Sequence, residues 1–414
     1  MQYRFTIEIT NEEHDAFVEV HEYCNLLQSA SWAKIKDNWK HLLAGVRDDS
    51  GVLVASSLVL IKTLPMGFSM YYLPKGPVMD FQNLDVMRTY FDGLKRVSRK
   101  DHCIFIKVDP GIHINDYKST EYNTNQYPET QTYLTYFKEV QGIHQGFCMH
   151  IGDTIQPRFQ SNVYKSDTFE EDLPRHTKRL IKDAVKRNVE IEMKGKEFVK
   201  EFSRLVELTE ERKGVHLRGE TYFNKLCDAY PQDVKIFLAG VDLEALYQEY
   251  TKKYDQIQKE MVECPENAVK KMRRLQDMER SLSKDVTEFK EIFDEMDQVQ
   301  GKVYIAGVLS IKYGHTCEML YAGMDQRFKK FMPQYKIYVE NMKWAFTNGC
   351  NTCNMGGVEG TLDDGLTKFK DNFNPLINEY IGEFDIPVNK LLYLPFHYMY
   401  NYMKKKREKA LGGD

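Results

Sequence analysis

The sequence predicts an α+β protein of two similar halves, with a long helical hairpin projecting from the second. Three observations carry that expectation. Strand-like and helix-like pieces alternate through the first third, the same alternation returns from residue 151, and a heptad stripe interrupts the second run. The length of 414 residues is room for two or three domains. Lys and Arg total 57 against 61 Asp and Glu, a net charge of −4 that excludes a polynucleotide binder built on bulk positive charge. Aromatic residues make up 13%, too many rings for a disordered chain.

Taken in order, Tyr3–Ile9 alternates as a strand, Asn11–Glu22 is an acidic amphipathic helix, and Trp32–Trp39 continues as a short helix. His41–Arg47 and Gly51–Leu60 read as a hairpin around Asp48-Asp49-Ser50-Gly51. Ser69–Leu73 is a strand stopped by Pro74-Lys75-Gly76-Pro77. Asn83–Lys100 is a helix, and Cys103–Val108 a buried strand cut by Asp109-Pro110-Gly111. Residues 115–135 show no clear period and are expected as loop. In the second half, Asn162–Lys165 leads to a basic helix, Arg175–Asn188. Val189–Met193 and Val234–Ala239 are strands around the helix Glu197–Arg212. Lys302–Tyr313 and Glu318–Ala322 pair, then come helix Gln334–Asn348, strand Thr352–Met355 and helix Leu366–Phe373.

The interruption is the clearest signal. Leu243, Tyr247, Tyr250, Tyr254, Ile257 and Met261 step by 4, 3, 4, 3 and 4, which puts them on one seam of a helix. Cys264-Pro265-Glu266-Asn267 breaks it. A second stripe runs through Ala268, Met272, Leu275, Leu282, Val286, Phe289, Phe293 and Met296, with Glu279 its single polar break. The pair forms an antiparallel arm projecting about 30 to 40 Å. Lys270, Lys271, Arg273 and Arg274 cluster at its tip; they are either solvated heptad flanks or a contact for RNA.

The eight cysteines are mostly scattered singly, as in a reduced protein. Only Cys350-Asn-Thr-Cys353 has metal spacing, and without a second ligand pair nearby no metal is assigned. No nucleophile elbow, Walker sequence or His-Glu-x-x-His occurs.

Three segments stand out chemically. In Leu27–Trp39, Lys36 and Trp39 fall within one helical turn, a cation beside a ring; one packed and one solvated face explains the segment equally well. In Glu211–Phe223, Arg218 and Tyr222 converge if Gly219 starts a helix, which suits a phosphate or carboxylate; a solvated loop is the alternative. In Cys353–Phe373, a strand ends in Gly-Gly, and a helix opening at Asp364-Gly365 carries Phe369 and Lys370.

These segments occur together with Tyr72-x-Pro-Lys-Gly-Pro77, Gln156-Pro-Arg158, Arg175-x-x-x-Arg179, Arg212-x-Gly-x-x-x-Arg218-x-x-x-Tyr222, Asn354-x-Gly-Gly357, Gly365-Leu-x-x-Phe-Lys370 and Gly382-Glu-Phe-Asp385. In that order the chain resembles the FemABX family of non-ribosomal aminoacyl transferases, in its long, arm-bearing form. The resemblance implies two domains like GCN5-related acetyltransferases. The first is 1–150, with 384–414 packing back on it; the second is 151–240 and 299–383, with the arm at 241–298. It implies transfer of an amino acid from aminoacyl-tRNA to the stem peptide or growing bridge of a peptidoglycan precursor, lipid-linked or nucleotide-linked. By matching motif, Lys36 and Arg218 hold the precursor's phosphates, and Trp39, Tyr222 and Tyr321 line that site. Phe369 and Lys370 lie where ester meets amine. Asp109 stands where a base is expected, although Pro110 and Gly111 leave its loop geometry open.

Aminolysis of an ester runs downhill, so no cofactor is expected beyond the charged tRNA as co-substrate; the enzyme must juxtapose amine and ester and stabilise the oxyanion, for which Lys370 is the candidate. Two other readings compete, an acyl-CoA N-acyltransferase of the same fold and a non-enzymatic coiled-coil adaptor. Met324–Asn341, where a CoA-binding enzyme cradles pyrophosphate on a glycine-rich loop, contains no glycine, and the adaptor leaves the Gly-Gly loop without purpose. With no apolar leader, the chain is expected to be cytoplasmic. In its final helix, Tyr393, Phe396 and Tyr400 share one side while Tyr398 and Tyr402 lie on another. One face can pack on the first domain, and Lys404–Arg407 can touch the anionic inner face of the membrane or simply complement the helix C-terminus.

Overall fold

The computed structural model describes residues 2–122, 124–213, 218–296 and 301–410, with backbone only at 212, 213, 401 and 403–410. Two mixed sheets organise the chain. The first runs Arg4–Thr6, Lys40–Arg47, Leu53–Thr63, Ser69–Leu73, Cys103–Val108, Phe384–Pro387 and Ile143–His144, with Val78–Met79 paired on Leu53–Thr63. The second runs Glu190–Lys194, Val234–Asp242, Lys302–Tyr313, Thr316–Met324, Thr352–Val358, Phe159–Tyr164, Leu376–Tyr380 and His113–Tyr117.

The halves exchange strands. His113–Tyr117 leaves the first sheet's neighbourhood after Asp109-Pro110-Gly111 and becomes the edge of the second, antiparallel to Leu376–Tyr380. In return, Phe384–Pro387 crosses from the second half and inserts beside Cys103–Val108 in the first. The expected loop over 115–135 is therefore corrected: it holds the end of that strand and the helix Thr130–Glu139. His-Ile-Asn-Asp-Tyr has little intrinsic strand character; cross-strand hydrogen bonds from Asn378 to Asp116 (2.5 Å) and from Tyr117 to Glu379 (3.2 Å) hold it in place.

Burial follows the sheets. Helix Leu84–Ser98, capped by the Asn83 side chain on the Val86 amide, lays Tyr90, Phe91 and Leu94 against one face of the first sheet. Helix Pro333–Thr347 places Ile337, Met342 and Phe346 against the second. A third core bridges the halves, joining Leu26, Ile35, Leu58 and Phe105 to Phe202, Leu205, Phe223, Ile236 and Leu309. Helix Val199–Lys213 approaches the second sheet so closely that a Cβ on Gly323 would lie 2.4 Å from the Leu205 backbone, which only glycine permits.

The arm consists of helices Leu243–Val262 and Val269–Glu295, about 30 and 40 Å long at 1.5 Å per residue. Asp242 caps the first by accepting from the Ala245 amide. The helices run antiparallel, with Tyr250 edge-on to Phe289 at 4.9 Å. The polar break in the seam is satisfied, because Glu279 accepts from Tyr254 and Gln258, each at 3.1 Å. At its root, Phe289 meets Phe331 (5.5 Å) and Lys330 pairs with Glu288 (2.6 Å), so the arm grows from the second core.

The final helix, Lys390–Ala410, seats Tyr393 and Phe396 against Phe105 and Phe68, at 5.7 and 5.1 Å. Tyr398 and Tyr402 are 71% and 69% exposed, the two-faced arrangement their spacing predicts. The side chains of Lys404–Arg407 lie outside the described residues. Among the described residues no helix is long and apolar enough to cross a membrane.

Candidate active site

The first part of the site is cationic and is shared between the halves. The short helix Trp32–Ile35 ends at Lys36 and packs on helix Glu220–Ala229, where Ser29 and Tyr230 share a 2.5 Å hydroxyl contact and Lys225 pairs with Asp37. Arg218, just before the Gly219 cap, lies 5.0 Å over the Tyr222 ring, and Tyr222 meets Tyr321 edge-on at 5.9 Å. Lys36 is half-buried, and its ammonium is pushed below the ordinary lysine range first by burial and then by the Arg218 charge. Burial also raises the Tyr222 and Tyr321 phenols, with Arg218 pulling both back.

Lys36, Arg218, Tyr222 and Tyr321 thus converge. The expected pairing of Lys36 with Trp39 is corrected: Lys36 lies 5.8 Å from the Trp32 ring, while Trp39 receives Lys62 at 5.5 Å and meets Tyr72 at 6.4 Å. At position 36 the helix has ended and the backbone has left helical geometry, so the side chain turns back one turn. The Arg212 side chain and Gly214 of the same motif lie outside the described residues.

Deeper in, Tyr72 leads to a carboxylate centre. Asp109 follows the last paired residue of Cys103–Val108 and turns inward under the loop Pro74–Pro77. One carboxylate oxygen accepts from the Lys75 amide at 2.8 Å, the other from the Tyr72 hydroxyl at 3.3 Å. Burial pushes its carboxyl up to about 7, with Lys75 opposing that and Glu383 adding to it. Lys75 itself, at φ 53, is 3% exposed and sets its ammonium 3.5 Å above the Tyr380 ring. Burial lowers its pKa against the pull of Asp109, Glu318 and Glu383.

Behind this, Lys107 bridges Glu383 (3.0 Å) and Asp385 (2.6 Å), and Glu383 also accepts from the Ile155 amide. Asp385 accepts from Tyr393 (3.1 Å) and meets His397 at 3.0 Å, tying the final helix to the same centre. Its burial favours the neutral form, but Lys107 and His397 outweigh that and hold the carboxyl below the usual range.

The third part is an opening between parallel strands. Thr316–Met324 and Thr352–Val358 pair at Thr316, Cys317 and Glu318 and then separate. Past the last rung, Glu318 opposite Asn354, the strand bulges through Gly356 at φ +84; Asn354 accepts from the Gly356 amide and donates to Gln160, both at 2.7 Å. Helix Gly365–Lys370 is started by Asp364, which accepts from the Leu366 and Thr367 amides. Its last residue, Lys370, is 4% exposed and donates to the Gly356 and Gly357 carbonyls at 2.9 and 2.8 Å. Phe369 packs among Tyr335, Tyr338 and Phe373, with centroids 5.3 to 5.9 Å away.

Polar residues connect the last two parts. Glu318 is half-buried on the last rung, Lys75 from the first half pulls on it, and Asn354 continues to Gly356 and Lys370. Lys75, Lys107, Glu383 and Asp385 have no role that residue type alone suggests, although Tyr72–Pro77 and Gly382–Asp385 are among the matching motifs. Glu318 carries no sequence signal. Lys270, Lys271, Arg273 and Arg274 are exposed at the arm's far end, away from its root on the second core. Among the described residues no group of three or more His, Cys, Asp or Glu is placed to hold a metal ion.

Comparison with known proteins covers nearly the whole molecule. A family model described as the FemAB family matches residues 9–405. A lipid II:glycine glycyltransferase of Staphylococcus haemolyticus (strain JCSC1435) is 26% identical over 403 residues, covering 93% of each chain. The protein of the same name from Staphylococcus epidermidis (strain ATCC 12228 / FDA PCI 1200) is 27% identical over 403 residues, again covering 93% of each. The crystal structure of FemX superposes with a TM-score of 0.75 at 24% identity, covering 97% of this chain and 100% of that one, which establishes a shared fold. Since the match spans both sheets, the arm and most of the final helix that closes on the carboxylate centre, the chain belongs to the FemAB family.

Proposed function

We propose that this chain transfers an amino acid from aminoacyl-tRNA to an amine on the peptide of lipid II. The observation that carries the reading is the juxtaposition of Lys36 and Arg218. They come from different halves, and the Arg218 charge adds to the burial that disfavours the Lys36 ammonium. A pyrophosphate relieves that repulsion, and the relatives named above act on lipid II. Tyr222 and Tyr321 are the aromatic walls of the same subsite, while Trp39 stands beside Tyr72 on the way inward. The acceptor peptide extends from there past Tyr72 toward the opened strand pair.

The chemistry asked of the site is aminolysis of an ester. The amine nitrogen attacks the acyl carbon, a C–N bond forms, the ester C–O bond breaks, and the released tRNA hydroxyl takes a proton. Lys370 stabilises the oxyanion; its seat on two glycine carbonyls pre-orients the ammonium, so little reorganisation is needed when charge develops. Phe369 braces that helix within its aromatic cluster. Asp109 organises the Tyr72 hydroxyl and the Lys75 amide. No cofactor takes part, and the arm-tip cations steer the tRNA.

The test is purified chain with individually charged tRNAs and either lipid-linked or nucleotide-linked precursor, scored by product mass. A gain of one amino-acid residue on the lipid-linked precursor, only with charged tRNA, is expected. No gain with any charged tRNA overturns the reading, and gain from an acyl-CoA instead reassigns the donor.

A further inference from the structure

We propose that Glu318 is the proton acceptor for the attacking amine, with Lys75 as its positioning residue. The inference rests on the aminoacyl-transfer reading and names the base that reading leaves open. An amine meets the enzyme largely as its ammonium at neutral pH, and a nitrogen carrying that extra proton has no lone pair with which to attack. A carboxylate beside the opened strands is the group the reaction requires.

Three features of geometry single out Glu318. It occupies the last rung of the parallel pair, opposite Asn354, where the two strands part. The bulge just beyond presents Gly356 and Gly357, whose carbonyls seat Lys370, so Glu318 and the oxyanion candidate flank the same opening. Lys75 reaches Glu318 from the other half, yet its ammonium is seated on the Tyr380 ring rather than on the carboxylate. The ring therefore keeps the lysine near enough to bias Glu318 without covering it.

Asp109 is the less suitable group. Both its oxygens accept hydrogen bonds inside the first half and it is 3% exposed, whereas Glu318 is half-buried. The titratable and polar groups that interact with Glu318 are Lys75 and Cys24 from the first half, Tyr380 on Leu376–Tyr380 of its own sheet, Asn354 on the neighbouring strand, and Cys317 next to it in the chain. Burial pushes its carboxyl up to about 7, while Lys75 and Asn354 pull it down. A base with that affinity is half ionised at neutral pH and can both take and release a proton. The step balances: one ammonium proton moves to Glu318 and then to water, the neutral amine adds to the ester, and the second proton leaves with the tRNA hydroxyl.

The test is the pH dependence of kcat and kcat/KM for the full chain, with Glu318→Gln, Glu318→Asp and Asp109→Asn beside it. Wild-type transfer must be seen first; its absence fails the parent reading, not this one. Expected for Glu318→Gln is a loss of roughly 100-fold or more in kcat at pH 7 with the precursor KM nearly unchanged. Its rate should climb steadily toward the amine's own pKa, because bulk deprotonation then supplies the nucleophile, while the wild type levels off above pH 7. A Glu318→Gln profile parallel to wild type overturns the proposal, as does a larger kcat loss for Asp109→Asn. Should Glu318→Gln fail to fold, Glu318→Asp decides: a slower enzyme that keeps the limb near pH 7 supports it, and an unchanged rate overturns it.

Discussion

Each half contains one parallel strand pair among antiparallel neighbours, and the two pairs end differently. In the first, Ser69–Leu73 stays paired with Cys103–Val108 to its last residue, Leu73 opposite Val108. Pro74 and Asp109 follow, and Asp109 closes the end by accepting from the Lys75 amide. In the second, three rungs form and the strands then part around Gly356 and Gly357. Both ends carry a carboxyl pushed up to about 7, Asp109 sealed by two hydrogen bonds and Glu318 on the last rung before the strands part. One local pattern thus yields a brace in one half and a mouth in the other. What differs is the chain just past the last rung, where one pair meets Pro74, which fixes φ, and the other passes Met355 into the Gly356-Gly357 pair, which lets the strand turn away.

The largest expected effect breaks the open end. Lys370→Ala should lower kcat by roughly 100-fold or more, with a much smaller rise in KM, because an oxyanion contact forms in the transition state. An equal loss arising from KM alone would make Lys370 a docking residue, and its hold on the two glycine carbonyls purely structural. Next come Lys36→Met and Arg218→Met, each removing one charge-assisted contact of about 1.5 to 3 kcal/mol from precursor binding. Unchanged Michaelis constants in both variants would take the cationic subsite out of the reaction.

The arm hangs from the second half alone, so it sharpens the comparison from outside the site. Reversing Lys270, Lys271, Arg273 and Arg274 to Glu should raise the Michaelis constant for charged tRNA several-fold and flatten its salt dependence, leaving precursor binding untouched. An unaltered tRNA response would leave the arm as a spacer. The smallest effect concerns the sealed end. The Asp109 carboxyl is raised from 3.8 to about 7, so the folded state holds this proton more tightly than the unfolded chain. Its contribution to stability is complete below about pH 4 and is lost as pH rises to about 7. Asp109→Asn should flatten that part of the melting-temperature profile; an identical pH slope in the variant would show the carboxyl is not perturbed.

Several parts of this arrangement are legible in the order of residues alone. The arm follows from a 3.5-residue period and a proline break, both local properties, and Glu279 stands out as the one polar position in its seam. The two-faced final helix follows from the spacing of Tyr393, Phe396, Tyr398 and Tyr402. Motifs mark Lys36, Arg218, Tyr222 and Tyr321, and the fold brings them together. Spacing nevertheless points Lys36 at the wrong ring, because the helix ends where its side chain begins.

Local sequence sets the elements whose signals lie within a few residues: period, caps, breaks and glycine pairs. Asp364 starting the Lys370 helix is one such case. Tertiary pairing governs everything that depends on which strand lies beside which. His113–Tyr117 becomes a strand only because Leu376–Tyr380 is there to pair with it, and Phe384–Pro387 crosses back into the first sheet. That exchange helps interlock the halves through which Lys75 comes over Tyr380 and beside Glu318. Burial of charge is a property of the assembled interior, where solvent has been excluded and distant residues face one another. No spacing along the chain encodes it.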